Sequence, residues 1–191
     1  GSNGELSFVD CRVKAEDLLG EVGASPFAAT AMGRRNPRFQ AMNIGVGRAA
    51  YEAALEYAKI RKQGGHPLVE HQAIGLTLAN MAIKLEAARV LIWQSAWASD
   101  HRDAYSDGSL PDLPLQSIAK VYTSEIVQQV ALDAAQMFGG MGVMRELPAQ
   151  KYVRDALIFL HSEHSNDVAR LKIAEDLVGY KREKGKATIG E

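Results

Sequence analysis

At 191 residues the chain is long enough for one domain to bury a core without disulfide or metal support, and its 47% hydrophobic and 24% charged content is that of a globular protein rather than a disordered or fibrous one. Lys and Arg number 22 against 23 Asp and Glu, so there is no cationic surplus to neutralise a nucleic-acid backbone or an anionic lipid surface. A single cysteine, Cys11, cannot form an internal disulfide and fits a reducing compartment, cytosol or organelle matrix, while no apolar run approaches the ~18 residues of a membrane span.

Taken in chain order, Gly1-Ser2 reads as a tag remnant, and residues 5–10 form one short strand-like run. A lone strand has an unpaired polar edge, so this run is expected to belong to a sheet whose remainder lies elsewhere; residues 1–25 are read as the end of a missing β-domain with its linker. From Pro26 the signal is helical, with Pro37 at a break or first turn and a helix over about 39–62 that Gly64-Gly65-His66-Pro67 stops. Next, Ile74, Leu78, Met81, Leu85, Ala88 and Ile92 alternate spacings of four and three, which places all six on one stripe of a helix. Residues 100–114, with Asp107-Gly108, Pro111 and Pro114, predict a surface loop.

A third helix carries Ala119, Tyr122, Ile126, Val130, Ala134 and Met137, mostly four apart, and Gly139-Gly140 is its expected stop. Helical sequence resumes from about Ala149 towards Tyr180, with an interruption expected near 161–166, where His, Ser and Asn weaken helix propensity. The expectation is an all-α, up-down four-helix bundle over 26–185, with the short N-terminal strand remnant before it and a charged tail at 186–191.

Read for chemistry alone, the residues say little. No histidine has Glu three residues before it, so the Glu-x-x-His pair of di-iron bundles is missing; His161 and His164 share a helical face without further ligands, and no metal site is expected. Gly45-Val46-Gly47 and Gly139-Gly140-Met141-Gly142 look like pieces of phosphate loops but follow no credible strand. Close helix packing and a helix C-cap account for them as well.

The order of several segments is more specific than any one of them: Asp17-Leu-Leu-Gly20, Tyr57-Ala58 before Arg61-Lys62, Leu68-Val-Glu-His-Gln-Ala-Ile74, Leu78-Ala-Asn-Met-Ala82, Glu86-Ala-Ala-Arg89, Ala119-Lys120, Gln136-Met-Phe-Gly-Gly-Met-Gly142 and Arg154-Asp-Ala156. Over almost its whole length the chain resembles the C-terminal domain of acyl-CoA dehydrogenases. The resemblance implies a flavoprotein that uses FAD to convert an acyl-CoA to its trans-2-enoyl-CoA. It also implies assembly as a dimer or tetramer, with an electron-transfer flavoprotein or another acceptor reoxidising the flavin. It places the base that removes the α-proton nine residues beyond Arg154, at Glu163. It places contacts with the FAD of a neighbouring subunit at Arg61, Gln72, Gln136, Gly139 and Gly140, and a further cofactor contact at the Ser165 hydroxyl.

Some members of the family carry the base on the first bundle helix, near Arg35 or Asn36 here, and neither of these is acidic. The chain also departs from the family pattern. Gly64-Gly65 replaces the usual Phe-Gly after Arg-Lys-x, and Ser162-Glu163-His164-Ser165 replaces Tyr-Glu-Gly-Thr. Two other readings fit the scaffold: a silent subunit that completes the flavin site of an active partner, and a flavin monooxygenase that needs no base at this position. A carboxylate at 163 favours neither.

Overall fold

A computed structural model describes residues 4–18, 37–101, 103, 113–162 and 164–179. Among the described residues five helices carry the fold: α1 (Arg38–Ile60), α2 (Gln72–Asp100), α3 (Leu115–Met137), α4 (Ala149–Ile158) and α5 (Asn166–Val178). The helix expected before Pro37, including Arg35 and Asn36, lies outside the described residues, as does most of the expected loop between α2 and α3.

Each break has a local cause. Pro37 precedes α1, where a missing N–H leaves no intrahelical bond unmade. After α1 comes a two-residue hairpin, β1 (Lys62–Gln63) against β2 (His66–Pro67), in which Lys62 pairs with Pro67 and Gln63 with His66. Its turn residues Gly64 and Gly65 have φ of +62° and +87°, the left-handed pair that matches the twist of two antiparallel strands. Gly139, at φ +57°, terminates α3 as the C-cap reading anticipated.

Pairing across the bundle fixes the helix directions. The rings of Tyr57 and Phe138 meet at 4.3 Å, tilted by 30°, joining the ends of α1 and α3, so these two helices run parallel. The Gln116 side chain donates to the Ser95 carbonyl at 3.1 Å, joining the start of α3 to the end of α2, which is antiparallel to both. The short α4 returns along α3, which completes the up-down-up-down arrangement of the expected four-helix bundle.

The stripe on α2 is confirmed: Leu78, Met81, Leu85, Ala88 and Ile92 are buried, and Ile74 is half-buried at its edge. On α1 the inward face is made of small residues, Gly47, Ala50, Ala54 and Ala58, so its backbone packs close to its neighbours. A Cβ on Gly47 would lie 2.8 Å from Leu85 Cδ2 and 3.0 Å from Val127 Cγ2, so close packing rather than phosphate binding explains this glycine.

One expectation needs correction. Tyr122 is 38% exposed, whereas Val121, Thr123, Val127 and Ala131, off the expected stripe, are buried. The cause is the central position of α3, which packs against α1, α2, α4 and α5 and so has no single inward face. Residues 5–10, read as a strand whose sheet lies elsewhere, make no ladder among the described residues, and Leu6, Phe8 and Val9 are at least three-quarters exposed. A strand-like run without a neighbouring strand has no ladder to join.

Candidate active site

Between α4 and α5 the chain makes a tight, hydrogen-bonded connection. The His161 and Ser162 amides both donate to the Ile158 carbonyl at 3.0 Å, which ends α4. The Asn166 amide then reaches back to the Leu160 carbonyl at 3.0 Å and closes the loop. Ser165 starts α5 as its N-cap, accepting from the Val168 amide at 3.3 Å, so its hydroxyl already serves the helix terminus. Glu163, the residue on which the expected chemistry depends, lies outside the described residues.

The residues on either side of it are held from α3. Lys120 is only 6% exposed, and its ammonium donates to the carbonyls of Leu160 at 3.2 Å and His164 at 2.7 Å, and to Asn166 Oδ1 at 2.7 Å. One turn further along α3, the Ser124 hydroxyl donates to Asn166 Oδ1 at 3.2 Å and accepts from Asn166 Nδ2 at 3.0 Å. Asn166 Nδ2 also donates to Glu125 Oε1 at 3.1 Å, and Glu125 is paired with Arg170 of α5.

Lys120, Ser124, Asn166 and Asn43 were missed as candidates when the sequence was read alone. A signal for the first existed: Lys120 is in helical phase with buried Val127, Val130 and Ala134, an inward position where an ammonium needs acceptors.

Beside this network lies a shallow open cleft, lined by Phe39, Gln40 and Asn43 of α1, Lys120 and Ser124 of α3, and Phe159 and Ser162 of the connection. Its lining combines two aromatic side chains with polar groups. Asn43 is 2% exposed, and its Oδ1 has no hydrogen-bond partner among the described residues.

His164 is half-buried in the connection, and burial, helped by the Lys120 charge, holds its imidazole below the ordinary value of about 6.5. The unfolded chain therefore binds more protons than the folded one between those two values. Stability from this group is complete above about pH 6.5 and declines as pH falls towards the lowered value. We expect His164→Gln to flatten that acid-side decline in melting temperature measured from pH 7 to 5; a decline as steep as the parent's would show that this imidazole does not carry it.

The other expected site residues gather at the opposite end of the bundle. Arg61 follows α1, Gln72 opens α2, and Gln136, Gly139 and Gly140 close α3; all five are exposed. The Tyr57–Phe138 contact and a 2.8 Å bond from the Leu68 amide to the Arg61 carbonyl tie these termini together. A Cβ on Gly139 or Gly140 would meet no atom within 4 Å, so the backbone here is open to approach. A guanidinium, two carboxamides and accessible peptide groups are a donor set that fits a pyrophosphate. Lys120 and Gln136 are sixteen residues apart on α3, which separates the two groups of residues by ~24 Å along the helix axis. One chain therefore does not bring them into a single site.

Residues 26–178 match the family described as acyl-CoA dehydrogenase, C-terminal domain. The chain is 36% identical over 180 residues to the mitochondrial short-chain specific acyl-CoA dehydrogenase of Mus musculus, covering 93% of this chain and 42% of that protein. It thus spans less than half the length of the curated relatives it matches. Among solved structures, butyryl-CoA dehydrogenase from Megasphaera elsdenii superposes with a TM-score of 0.65 at 33% identity, over 76% of this chain and 36% of that one. The FAD complex of PigA gives 0.63 at 27% identity, over 73% of this chain and 34% of that one.

Proposed function

The chain belongs to the acyl-CoA dehydrogenase family, as its C-terminal domain, and on that premise we propose that the whole protein oxidises an acyl-CoA thioester to the trans-2-enoyl-CoA with FAD. The observation that carries this reading is the connection between α4 and α5. There the sequence sets a carboxylate, Glu163, between Ser162, which borders a cleft with aromatic walls, and His164, whose carbonyl is pinned by a buried ammonium.

A carbon acid beside a thioester ionises only when a base is held against it, so the value of such a connection is positional. Glu163 accepts the α-proton, and its backbone N–H donates to the thioester oxygen as charge develops there. FAD, when bound, supplies the acceptor for the β-hydride. Arg61, Gln72, Gln136 and the open backbone at Gly139 and Gly140 hold the flavin of a neighbouring subunit. Their distance from the Glu163 connection along α3 supports a shared site of this kind, and an electron-transfer flavoprotein or another acceptor then reoxidises the cofactor.

Assembly as a homo-oligomer follows from the same reading. Leu76, Ile83, Val90 and Trp97 recur every seven residues on α2 and are each about half exposed or more, and Trp93 beside them is 62% exposed. In light scattering the whole protein should run as a dimer or tetramer. A monomer that keeps full activity and stoichiometric FAD would exclude the shared site.

The activity itself is tested by mixing the FAD-loaded whole protein, without oxygen or electron acceptor, with straight-chain acyl-CoAs of increasing length. Flavin bleaching with stoichiometric 2-enoyl-CoA is expected for at least one of them. An oxidised flavin throughout the series, in a protein that binds these thioesters, would move the silent-subunit reading ahead.

A further inference from the structure

Packing alone gives no reason for a lysine at position 120. A charge at 6% exposure is expensive to bury, and an apolar side chain of similar size on α3 would pack there without that cost. What an apolar side chain cannot do is satisfy three acceptors that converge on one point. An ammonium has three donors and no acceptor, and here they meet Leu160, His164 and Asn166, three residues spread over seven positions of the connection. Two of the three bonds go to backbone carbonyls, so they fix the path of the main chain rather than the orientation of a side chain.

The placement of those bonds is specific. Leu160 lies before Glu163 and His164 directly after it, so the ammonium ties both flanks of the proposed base to a single atom on the central helix. Ser124 and Glu125, through Asn166, anchor the start of α5 to the same stretch of α3. Lys120 and Ser124 also line the cleft together with Ser162.

We propose that Lys120 is a positioning residue for the α-proton base: by clamping the carbonyls of Leu160 and His164 and the Asn166 side chain, it sets the path of the segment that presents Glu163 to the substrate. The proposal rests on the assignment of Glu163 as the base. Lys120 itself neither touches the substrate nor transfers a proton, and its effect is expected in the rate of proton removal rather than in thioester affinity.

The test uses the FAD-loaded whole enzyme and two readouts: exchange of the α-hydrogen of a bound acyl-CoA with deuterium oxide, followed by mass spectrometry in an analogue unable to give up a β-hydride, and the dissociation constant of that analogue. Displacing a reacting group by an ångström costs on the order of 10²-fold, so Lys120→Met should slow exchange by ~10- to 100-fold, with FAD content and analogue affinity within about twofold of the parent. In a Glu163→Gln background the same substitution should cause no further loss, because its action passes through the base.

Exchange within threefold of the parent in a folded, FAD-loaded Lys120→Met protein would overturn the proposal. So would an equal additional loss in the Glu163→Gln background. If Glu163→Gln alone exchanges at the parent rate, the assignment of the base fails instead, and Lys120 loses the partner on which this inference depends. Should Lys120→Met not fold, Asn166→Ala keeps the ammonium and both carbonyl contacts and removes one anchor. A loss of about tenfold is expected there, and an unchanged rate would refute the clamp.

Discussion

Replacing Glu163 with glutamine in the whole enzyme is expected to slow reduction of its flavin by an acyl-CoA by ~10²- to 10⁴-fold, the usual contribution of a positioned acid or base. The substitution is nearly isosteric and keeps the backbone N–H, so thioester binding and FAD content should change little. What disappears is the carboxylate lone pair that takes the proton. At 25 °C that loss corresponds to about 3 to 5 kcal/mol of transition-state stabilisation.

Stopped-flow recording of flavin bleaching without an electron acceptor isolates this step from reoxidation. His161→Gln and His164→Gln serve as controls in the same loop, and each should stay within a few-fold of the parent. A Glu163→Gln enzyme that reduces its flavin at the parent rate with its fold intact would place the base elsewhere and remove the main support for dehydrogenation.

The second large effect concerns stability and falls at Gly142, buried in the 3₁₀ turn Gly139–Val143 that follows α3. A Cβ there would lie 2.1 Å from the Ala135 carbonyl oxygen and 2.9 Å from its carbon. The obstacle is helix backbone, which cannot rotate away as a side-chain tip can, so the turn itself must shift. We expect Gly142→Ala to cost about 3 kcal/mol or more. For a domain of this size that is a fall of ~6 to 12 °C in melting temperature.

Two neighbouring glycines calibrate the result in thermal melts followed by circular dichroism. Gly139→Ala meets no atom but must hold φ at +57°, which costs on the order of 1 kcal/mol. Gly140→Ala has open space and no positive φ, and should remain within about 0.5 kcal/mol of the parent. A Gly142→Ala protein melting within two degrees of the parent would mean that the turn does not pack on α3 as closely as this. Under the proposed function the same variant should also retain FAD less well in the assembled enzyme, because the displaced turn carries Gly139 and Gly140.

How much of this was legible in the sequence depended on how local the cause was. Proline before α1, the paired glycines of the hairpin, the glycine after α3 and the Ser-His-Asn interruption act within a few residues of themselves, and each predicted break is where the chain breaks. The stripe on α2 was equally plain, because that helix buries one face and its apolar residues keep one helical phase. Segment order carried the family, and hence the expected base and cofactor contacts, which no single motif could have done.

Tertiary structure decided the rest. Tyr122 kept the helical phase of an inward stripe yet is exposed, because α3 is packed on several sides and its burial does not follow one period. Residues 5–10 have strand composition but no ladder among the described residues, since a ladder needs a partner strand beside it. The buried role of Lys120 depends on acceptors 40 to 46 positions away, a separation over which no local pattern carries information. The sequence by itself determined which segments become helices and where they stop. Only their packing decided that an ammonium on the central helix meets both flanks of Glu163, and that the residues expected to hold a neighbouring subunit's flavin lie at the far end of the bundle, because hydrogen bonds and contacts between distant segments exist only once the helices are side by side.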